Sequence, residues 1–348
     1  RRQRQMCIRD RNNRLRLTLQ VLESVRDQVG DDFILGLRIT GDELIEGGLE
    51  ADECIEIAKL LEASGMVDFL NILAGAPYDD LGLAGWVSPM GMPSAPHLNI
   101  AAKIREAVSL PIMHAGAIAD IATARWAIAD GLVDLVGMTR AQIADPYLVK
   151  KITQGKEEDI RPCVGMGYCV DRVNQGKQAL CGHNPATGRE QTLSHSIKPD
   201  IKANTKKAVV VGAGPAGMEA ARVFAKRGFK VTLFEASNKL GGQIILAAKG
   251  KTRQQIWGVA DWLISQVQQL NINIRINSYV EANEILAENP DIVVIATGGL
   301  PELMSIPGAK HALSSWDVLY GEKLSGDVLL YDDHGDHQAG VTANVIAN

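Results

Sequence analysis

One stretch restricts the fold more than any other. Lys206-Lys-Ala-Val-Val-Val-Gly212-Ala-Gly214-Pro-Ala-Gly217-Met-Glu-Ala-Ala reads as a strand, a glycine turn and the start of a helix. Three glycines at this spacing have separate tasks: Gly212 makes the tight turn, Gly214 lets a pyrophosphate approach the backbone, and Gly217 lets helix and strand pack closely. The apolar run Phe229–Phe234 is a second strand and ends at Glu235, eighteen residues after the third glycine. A carboxylate there suits ribose hydroxyls and disfavours a 2′-phosphate. A lone glycine fingerprint would be weak, but this one sits between a strand and a helix and predicts a Rossmann-like dinucleotide-binding domain. Gly241-Gly242-Gln243 follows at the distance typical of flavoproteins with two dinucleotides. Asp291–Thr297 reads as a buried strand leading to the turn Gly298-Gly299, and Asp327–Asp333 as a strand opening a second nucleotide unit.

Upstream, the pattern is again α/β. An apolar helix carrying Leu15, Leu17, Leu19, Val21, Leu22 and Val25 ends near Gly30. Four short runs rich in β-branched residues follow, at Phe33–Ile39, Val67–Leu73, Leu110–His114 and Val133–Gly137. Helical patterns at 51–64, 97–107, 120–129 and 142–151 come after them. Alternation at this spacing predicts a parallel sheet. Four strands cannot close a barrel of eight, so the choice is a small open α/β domain or half of a (β/α)8 barrel.

The last two units favour the half-barrel. His114-Ala-Gly-Ala-Ile-Ala-Asp120 and Gly137-Met-Thr-Arg140 each end a strand and open a helix. In (β/α)8 barrels the loops after strands seven and eight commonly bind a phosphate. Glycines let backbone N–H groups approach the anion, and Arg140 adds a charge-assisted contact. Arg38, near the end of the first strand, would point to the same face. The bland reading makes Arg38 and Arg140 ordinary surface ion-pair residues. The long loop Ala74–Pro96, with Tyr78, Asp79, Asp80, Trp86 and Met90, is a candidate lid. His97 reads as a helix start and His114 as a buried, hydrogen-bonded strand end; neither is assigned to catalysis.

The remaining composition sets bounds. With 348 residues, 46% hydrophobic and 22% charged, the chain is long enough for two or three domains and is not of a disordered or disulfide-rich class. No uncharged apolar stretch nears the ~20 residues of a membrane span. A net charge of −5 argues against a nucleic-acid partner. Residues 1–11 hold five arginines and one aspartate, and without them 31 basic residues face 40 acidic ones. This segment lacks a signal-peptide core and resembles a translated library adaptor, so it reads as a non-native scar. Both ends look cut. Arg161-Pro-Cys163-Val-Gly-Met-Gly-Tyr-Cys169 and Cys181-Gly-His-Asn-Pro185 place three cysteines within nineteen residues. An iron–sulfur centre, which wants four thiolates, stays open on spacing, as do buried free thiols; the paired knuckle of a zinc site is missing. A cytoplasmic cofactor protein fits this cysteine usage.

Taken together, the half-barrel, cysteine loop, glycine fingerprint and Ile-Ala-Thr-Gly strand resemble one family. This is the old-yellow-enzyme-type multidomain flavoproteins that include trimethylamine dehydrogenase and 2,4-dienoyl-CoA reductase. The likeness runs from Asn13 to Asn348, and Asn71–Pro96, Val136–Pro146 and Arg161–Glu190 are most similar to the dimethylglycine and N-methylproline demethylase branch. The resemblance implies FMN in the barrel, with Arg38 at the pyrimidine edge of the flavin and Gly116, Ala117, Gly137, Met138, Thr139 and Arg140 at its phosphate. It implies FAD or ADP on Gly212, Gly214, Gly217, Glu235, Gly242 and Gln243, and NAD(P)H as a further redox partner. It also implies an iron–sulfur cluster, 4Fe-4S or 3Fe-4S, on Cys163, Cys169 and Cys181, although Met166 stands where the family has another cysteine. His183 is a nearby alternative ligand.

The implied organisation is a scar at 1–11, a half TIM barrel at 12–160, a cysteine linker at 161–200, a Rossmann-like domain at 201–325 and the start of a second nucleotide unit at 326–348. The implied parent oxidises a small N-methylated amine by hydride transfer to FMN, as a homo-oligomer with an electron-transfer partner. The rival reading is an NAD(P)H-dependent enoate or 2,4-dienoyl-CoA-type reductase. A third, of another class, is a non-catalytic truncated fragment with exposed sheet edges. The first four barrel strands of the family have no counterpart here, so no catalytic acid or base is assigned; Tyr78 and Trp86 are candidate pocket-lining residues.

Overall fold

The computed structural model describes residues 11–301, 307–332 and 334–347. Apart from Arg11, the arginine-rich segment read as a scar lies outside the described residues, as does Asp333. The chain divides into two compact units, residues 1–142 and 143–348.

In the first unit, the helix Arg11–Val29 stops at Gly30, whose φ of +77° suits glycine and whose N–H donates to the Arg26 carbonyl at 2.8 Å. Leu15 and Leu22 are buried, whereas Leu17 and Val21 are exposed. Four parallel strands follow in sequential order: β1 (Gly36–Thr40), β2 (Phe69–Leu73), β3 (Ile112–His114) and β4 (Leu135–Val136). Strand alternation sends Leu70, Ile72 and Ile112 to the face covered by the helices Ala51–Ala63 and Leu98–Ala107, and all three are fully buried. Register places Arg38, Asn71, Met113 and Leu135 together on the other face. There, Arg38 and Leu135 are exposed. The result is a partial barrel-type parallel sheet.

The second unit contains another four-stranded parallel sheet, β5 (Lys207–Val211), β6 (Lys230–Phe234), β7 (Ile272–Arg275) and β8 (Ile292–Ile295), in the order β7-β6-β5-β8. Val209, Val210 and Leu233 from the central strands are buried, as are Met218 and Ala221 of the helix Pro215–Arg227 and Leu263 and Val267 of Trp257–Gln269.

Four expectations change. The helix predicted at 142–151 is two short helices, Thr139–Ala144 and Leu148–Thr153. Pro146 lacks an N–H and disfavours helical backbone at Asp145, whose Oδ1 instead accepts the Tyr147 N–H at 3.0 Å. Within the loop 74–96, Asp80–Trp86 is helical, capped by Asp79 Oδ1 accepting the Gly82 N–H at 2.7 Å. The strand predicted as buried is the edge strand β8, where Ile292, Val293 and Ile295 are exposed. Its outer side has no neighbour among the described residues. Finally, residues 327–332 are irregular, with Leu329 94% exposed. A strand needs a ladder partner, and none among the described residues offers one to this run.

Candidate functional sites

The first site lies at the C-terminal edge of the first sheet. Because β3 and β4 pair with His114 opposite Val136, the loops that follow them emerge side by side. Ala117 adopts φ +53°, rare for a residue with a side chain, and its carbonyl accepts the Ala95 N–H at 3.3 Å. A Cβ on Gly116 would lie 2.6 Å from His114 Nε2, and one on Gly137 would lie 2.6 Å from Ala115 Cβ. Both turns are therefore closed to larger residues on their inner side, which leaves backbone to form the cradle. Met138 is buried, and Thr139 opens the next helix. Arg140 Nη1 donates to the Ser88 carbonyl at 2.8 Å, which orients the guanidinium and leaves its other N–H groups for an anion.

His114 is buried at the end of β3, with Nδ1 2.8 Å from the Ile72 carbonyl and no hydrogen-bond partner for Nε2. Burial, with smaller contributions from His97 and Arg38, pushes its pKa below the ordinary value. His114 is thus a buried strand end with one hydrogen-bonded ring nitrogen. His97 stands just before the helix Leu98–Ala107 and pins the loop through Nε2, 3.0 Å from the Gly85 carbonyl. Tyr78 is exposed on that loop.

The second site is the glycine turn after β5. Gly212 has φ +100° and donates its N–H to the Phe234 carbonyl at 2.8 Å. A Cβ on Gly217 would overlap the Gly212 carbonyl oxygen and lie 3.3 Å from Ala296 Cβ. By contrast, the nearest atom to a Cβ on Gly214 is Gly242 Cα, at 3.9 Å. The two packed glycines set the turn and the open one faces the space a pyrophosphate needs. First-turn N–H groups of the helix Pro215–Arg227 have no intrahelical acceptor, so they and the helix dipole favour an anion there. Glu235 sits at the end of β6 over this turn: Oε2 accepts the Ala213 N–H at 2.8 Å and Oε1 the Ser237 N–H at 2.9 Å. Gly242, at φ +55°, backs onto Gly214, and Gln243 Nε2 donates to the Gly299 carbonyl at 3.0 Å. All six predicted nucleotide residues thus gather at one strand edge.

The cysteines differ. Cys163, Cys169 and Cys181 form no disulfide, and among the described residues no three His, Cys, Asp or Glu side chains are placed to hold a metal ion. What joins the two arms of this loop is a buried polar group that the sequence reading missed. Arg161 donates from Nη1 to the His183 carbonyl and from Nη2 to Glu219 at 3.2 Å, and Glu219 also pairs with Arg222 at 2.8 Å. The Trp262 ring packs beneath Arg161, 4.2 Å from its guanidinium carbon, and edge-on to His183, at 5.2 Å between centroids. Partners 58 and 101 residues from Arg161 leave no local periodicity; only the buried charge would mark them, and burial is not visible in sequence.

Comparison with known proteins follows the same two-part division. Residues 9–159 match the NADH:flavin oxidoreductase / NADH oxidase family and residues 206–323 the pyridine nucleotide-disulphide oxidoreductase family. The chain is 48% identical over 340 residues to a probable N-methylproline demethylase of Rhizobium meliloti (strain 1021), covering 97% of this chain and 50% of the relative. It is 45% identical to a multifunctional alkene reductase/demethylase of Caballeronia cordobensis, covering 94% and 47%. Among solved structures, a 2-naphthoyl-CoA reductase complex superposes with a TM-score of 0.86 at 33% identity, covering 97% of this chain and 51% of that one. The chain spans about half the length of the curated relatives it matches. No helix among the described residues is long and apolar enough to cross a membrane.

Proposed function

Because residues 9–159 match the NADH:flavin oxidoreductase / NADH oxidase family, we propose that the protein of which this chain forms part is a flavin-dependent oxidoreductase that oxidatively demethylates a small N-methylated amine. FMN bound at the first site would accept a hydride from the N-methyl carbon, and water would hydrolyse the resulting iminium to formaldehyde and the demethylated amine. The observation that carries the flavin assignment is the backbone cradle at the paired ends of β3 and β4, where Gly116, Ala117 and Gly137 stand beside the tethered Arg140. These groups would hold the phosphate, with Met138 and Thr139 contributing backbone. Arg38, on the face opposite the helices, would place positive charge beside the pyrimidine edge, which favours the electron-rich reduced ring. Gly212, Gly214, Gly217, Glu235, Gly242 and Gln243 would bind the ADP portion of FAD or another dinucleotide, through which electrons leave. An electron acceptor and homo-oligomeric assembly of the whole protein belong to the same proposal.

Demethylation is preferred on the 48% identity to the N-methylproline demethylase. The second reading, NAD(P)H-dependent reduction of an activated alkene, is favoured by the likeness to the alkene reductase/demethylase and to the 2-naphthoyl-CoA reductase. Anaerobic mixing separates them. Bleaching of the flavin-loaded protein by dimethylglycine or N-methylproline is the expected result, and bleaching by NAD(P)H alone overturns it in favour of the second reading.

A further inference from the structure

The family resemblance implies an iron–sulfur cluster on the loop 161–185, and the residues present do not fit one. The donor set is short by one thiolate: Cys163, Cys169 and Cys181 keep the spacing, but Met166 supplies a thioether where the fourth sulfur ligand belongs. Iron–sulfur clusters are held by thiolates, with imidazole as the known substitute. Imidazole does not make up the set: His183 Nδ1 is engaged 3.0 Å from the Pro162 carbonyl, and its Nε2, although buried without a hydrogen-bond partner, is not grouped with the cysteines around a common point among the described residues. Nor do the three thiols make a three-ligand site, since among the described residues no three potential ligands are placed around a common point. The Met166 side chain instead lies on Gly182, its Sδ against the position a Cβ would take and its Cε 3.2 Å from it. The thioether thus touches the second arm of the loop at Gly182, with the side chain partly exposed.

We infer that the loop 161–185 is a cluster-free structural clasp, in which side-chain bonds made by the protein join the arms that a metal cluster would otherwise join. The clasp has three parts. Arg161 bonds the His183 carbonyl and is held between Glu219 and the Trp262 face. Asn184 Nδ2 donates to the Ala144 carbonyl at 2.9 Å, and Thr187 Oγ1 to the Ile143 carbonyl at 2.7 Å. Asp145, itself buried, accepts the Arg161 N–H at 2.8 Å and the Lys151 ammonium at 2.5 Å. Each of these donors thus has a protein acceptor, and the buried Arg161 guanidinium lies between the His183 carbonyl and Glu219. A positive charge so placed is paired by Glu219 without any metal.

The test uses the full chain, incubated anaerobically with ferrous ion and sulfide and then desalted. The expected result is no stoichiometric iron or acid-labile sulfide and no broad visible absorption of a cluster, while Met166→Cys, which restores the fourth thiolate, gains both. Uptake of ~3 or ~4 iron atoms per wild-type chain overturns the inference. A second arm reads stability. Replacing Cys163, Cys169 and Cys181 together by serine should leave the melting temperature close to wild type, whereas Arg161→Ala should lower it several-fold more. The reverse order of the two shifts overturns the assignment of the clasp to Arg161.

Discussion

The glycine turn after β5 allows two of its glycines to be separated by experiment, although both belong to one motif. Gly217 lies in the first turn of the helix Pro215–Arg227, where alanine is ordinarily preferred to glycine by about 1 kcal/mol. Its added methyl would overlap the Gly212 carbonyl oxygen and stand 3.0 Å from the carbonyl carbon. That carbonyl is held, because the N–H of Ala213 in the same peptide plane donates to Glu235 Oε2 at 2.8 Å. Overpacking against such a wall costs ~1–3 kcal/mol and sometimes more, which exceeds the helical gain. For a unit of this size, a net loss of up to about 2 kcal/mol lowers the melting temperature by up to about 4–8 °C. Gly217→Ala should therefore melt early.

Gly214→Ala should behave in the opposite way. At φ −73° and ψ −179° the backbone suits alanine, and no atom lies within 3.9 Å of the new methyl. The cost is that of a poorer N-cap, below about 1 kcal/mol. The methyl does, however, enter the space assigned to a pyrophosphate. An overlap there of ~1.5–3 kcal/mol weakens ADP or FAD by about 10- to 100-fold. Thermal melts followed by circular dichroism, paired with ADP titration of each variant, measure both quantities. The reasoning is refuted if Gly214→Ala melts as low as Gly217→Ala, or if it binds ADP as the wild type does.

Further consequences concern the individual charges. Glu235→Gln should weaken ADP by about tenfold, by calorimetric titration, since a charged acceptor for the ribose hydroxyls is exchanged for a neutral one. Arg140→Ala should raise the FMN dissociation constant by about 10- to 100-fold in fluorescence titration, with Arg140→Lys recovering only part of it. Removing the positive charge of Arg38 by Arg38→Ala should make the flavin harder to reduce, by a potential change of about 30 mV if ~1.4 kcal/mol of stabilisation is lost. His114 gives a pH dependence. Its pKa is depressed by burial, so below about 6.5 the unfolded chain binds a proton before the folded one does. Stability should then be level above about 6.5 and fall as the pH drops toward the folded-state value. His114→Asn should flatten that slope in urea titrations between about pH 8 and pH 5.

Which parts of the molecule could be read from sequence follows from how far each signal reaches along the chain. The glycine turn is a local device: Gly212, Gly214 and Gly217 act within six residues, and their roles follow from the turn they must make. The same holds for Gly30 at the end of the first helix. Strands β1 to β4 announce themselves by β-branched runs because each pairs with similar runs that follow in the same order along the chain. Alternation of burial in β2 then falls where the apolar pattern puts it, with Leu70 and Ile72 inside. Even the left-handed Ala117 is half-legible, since it sits in a glycine-bearing turn, although nothing in an alanine marks a positive φ.

Signals that depend on what lies alongside an element carry no such mark. Ile292, Val293 and Ile295 have the composition of a buried strand, yet they form the sheet's outer edge because position in the sheet, not composition, determines exposure. Residues 328–331 are another apolar run and have no ladder partner among the described residues. Asp145 and Pro146 split a helix whose apolar period continues on both sides, so the period overruled a break that proline chemistry foretells. The cysteine loop is the sharpest instance. Three thiols in nineteen residues suggest a metal, but one substitution, Met166, and one distant carboxylate, Glu219, decide the matter. Cysteine spacing is written locally, whereas the charge that replaces the cluster is balanced across 58 residues of chain. A motif with one ligand missing therefore has to be judged by what fills the gap, and here a thioether packed on Gly182 and a guanidinium on Trp262 fill it.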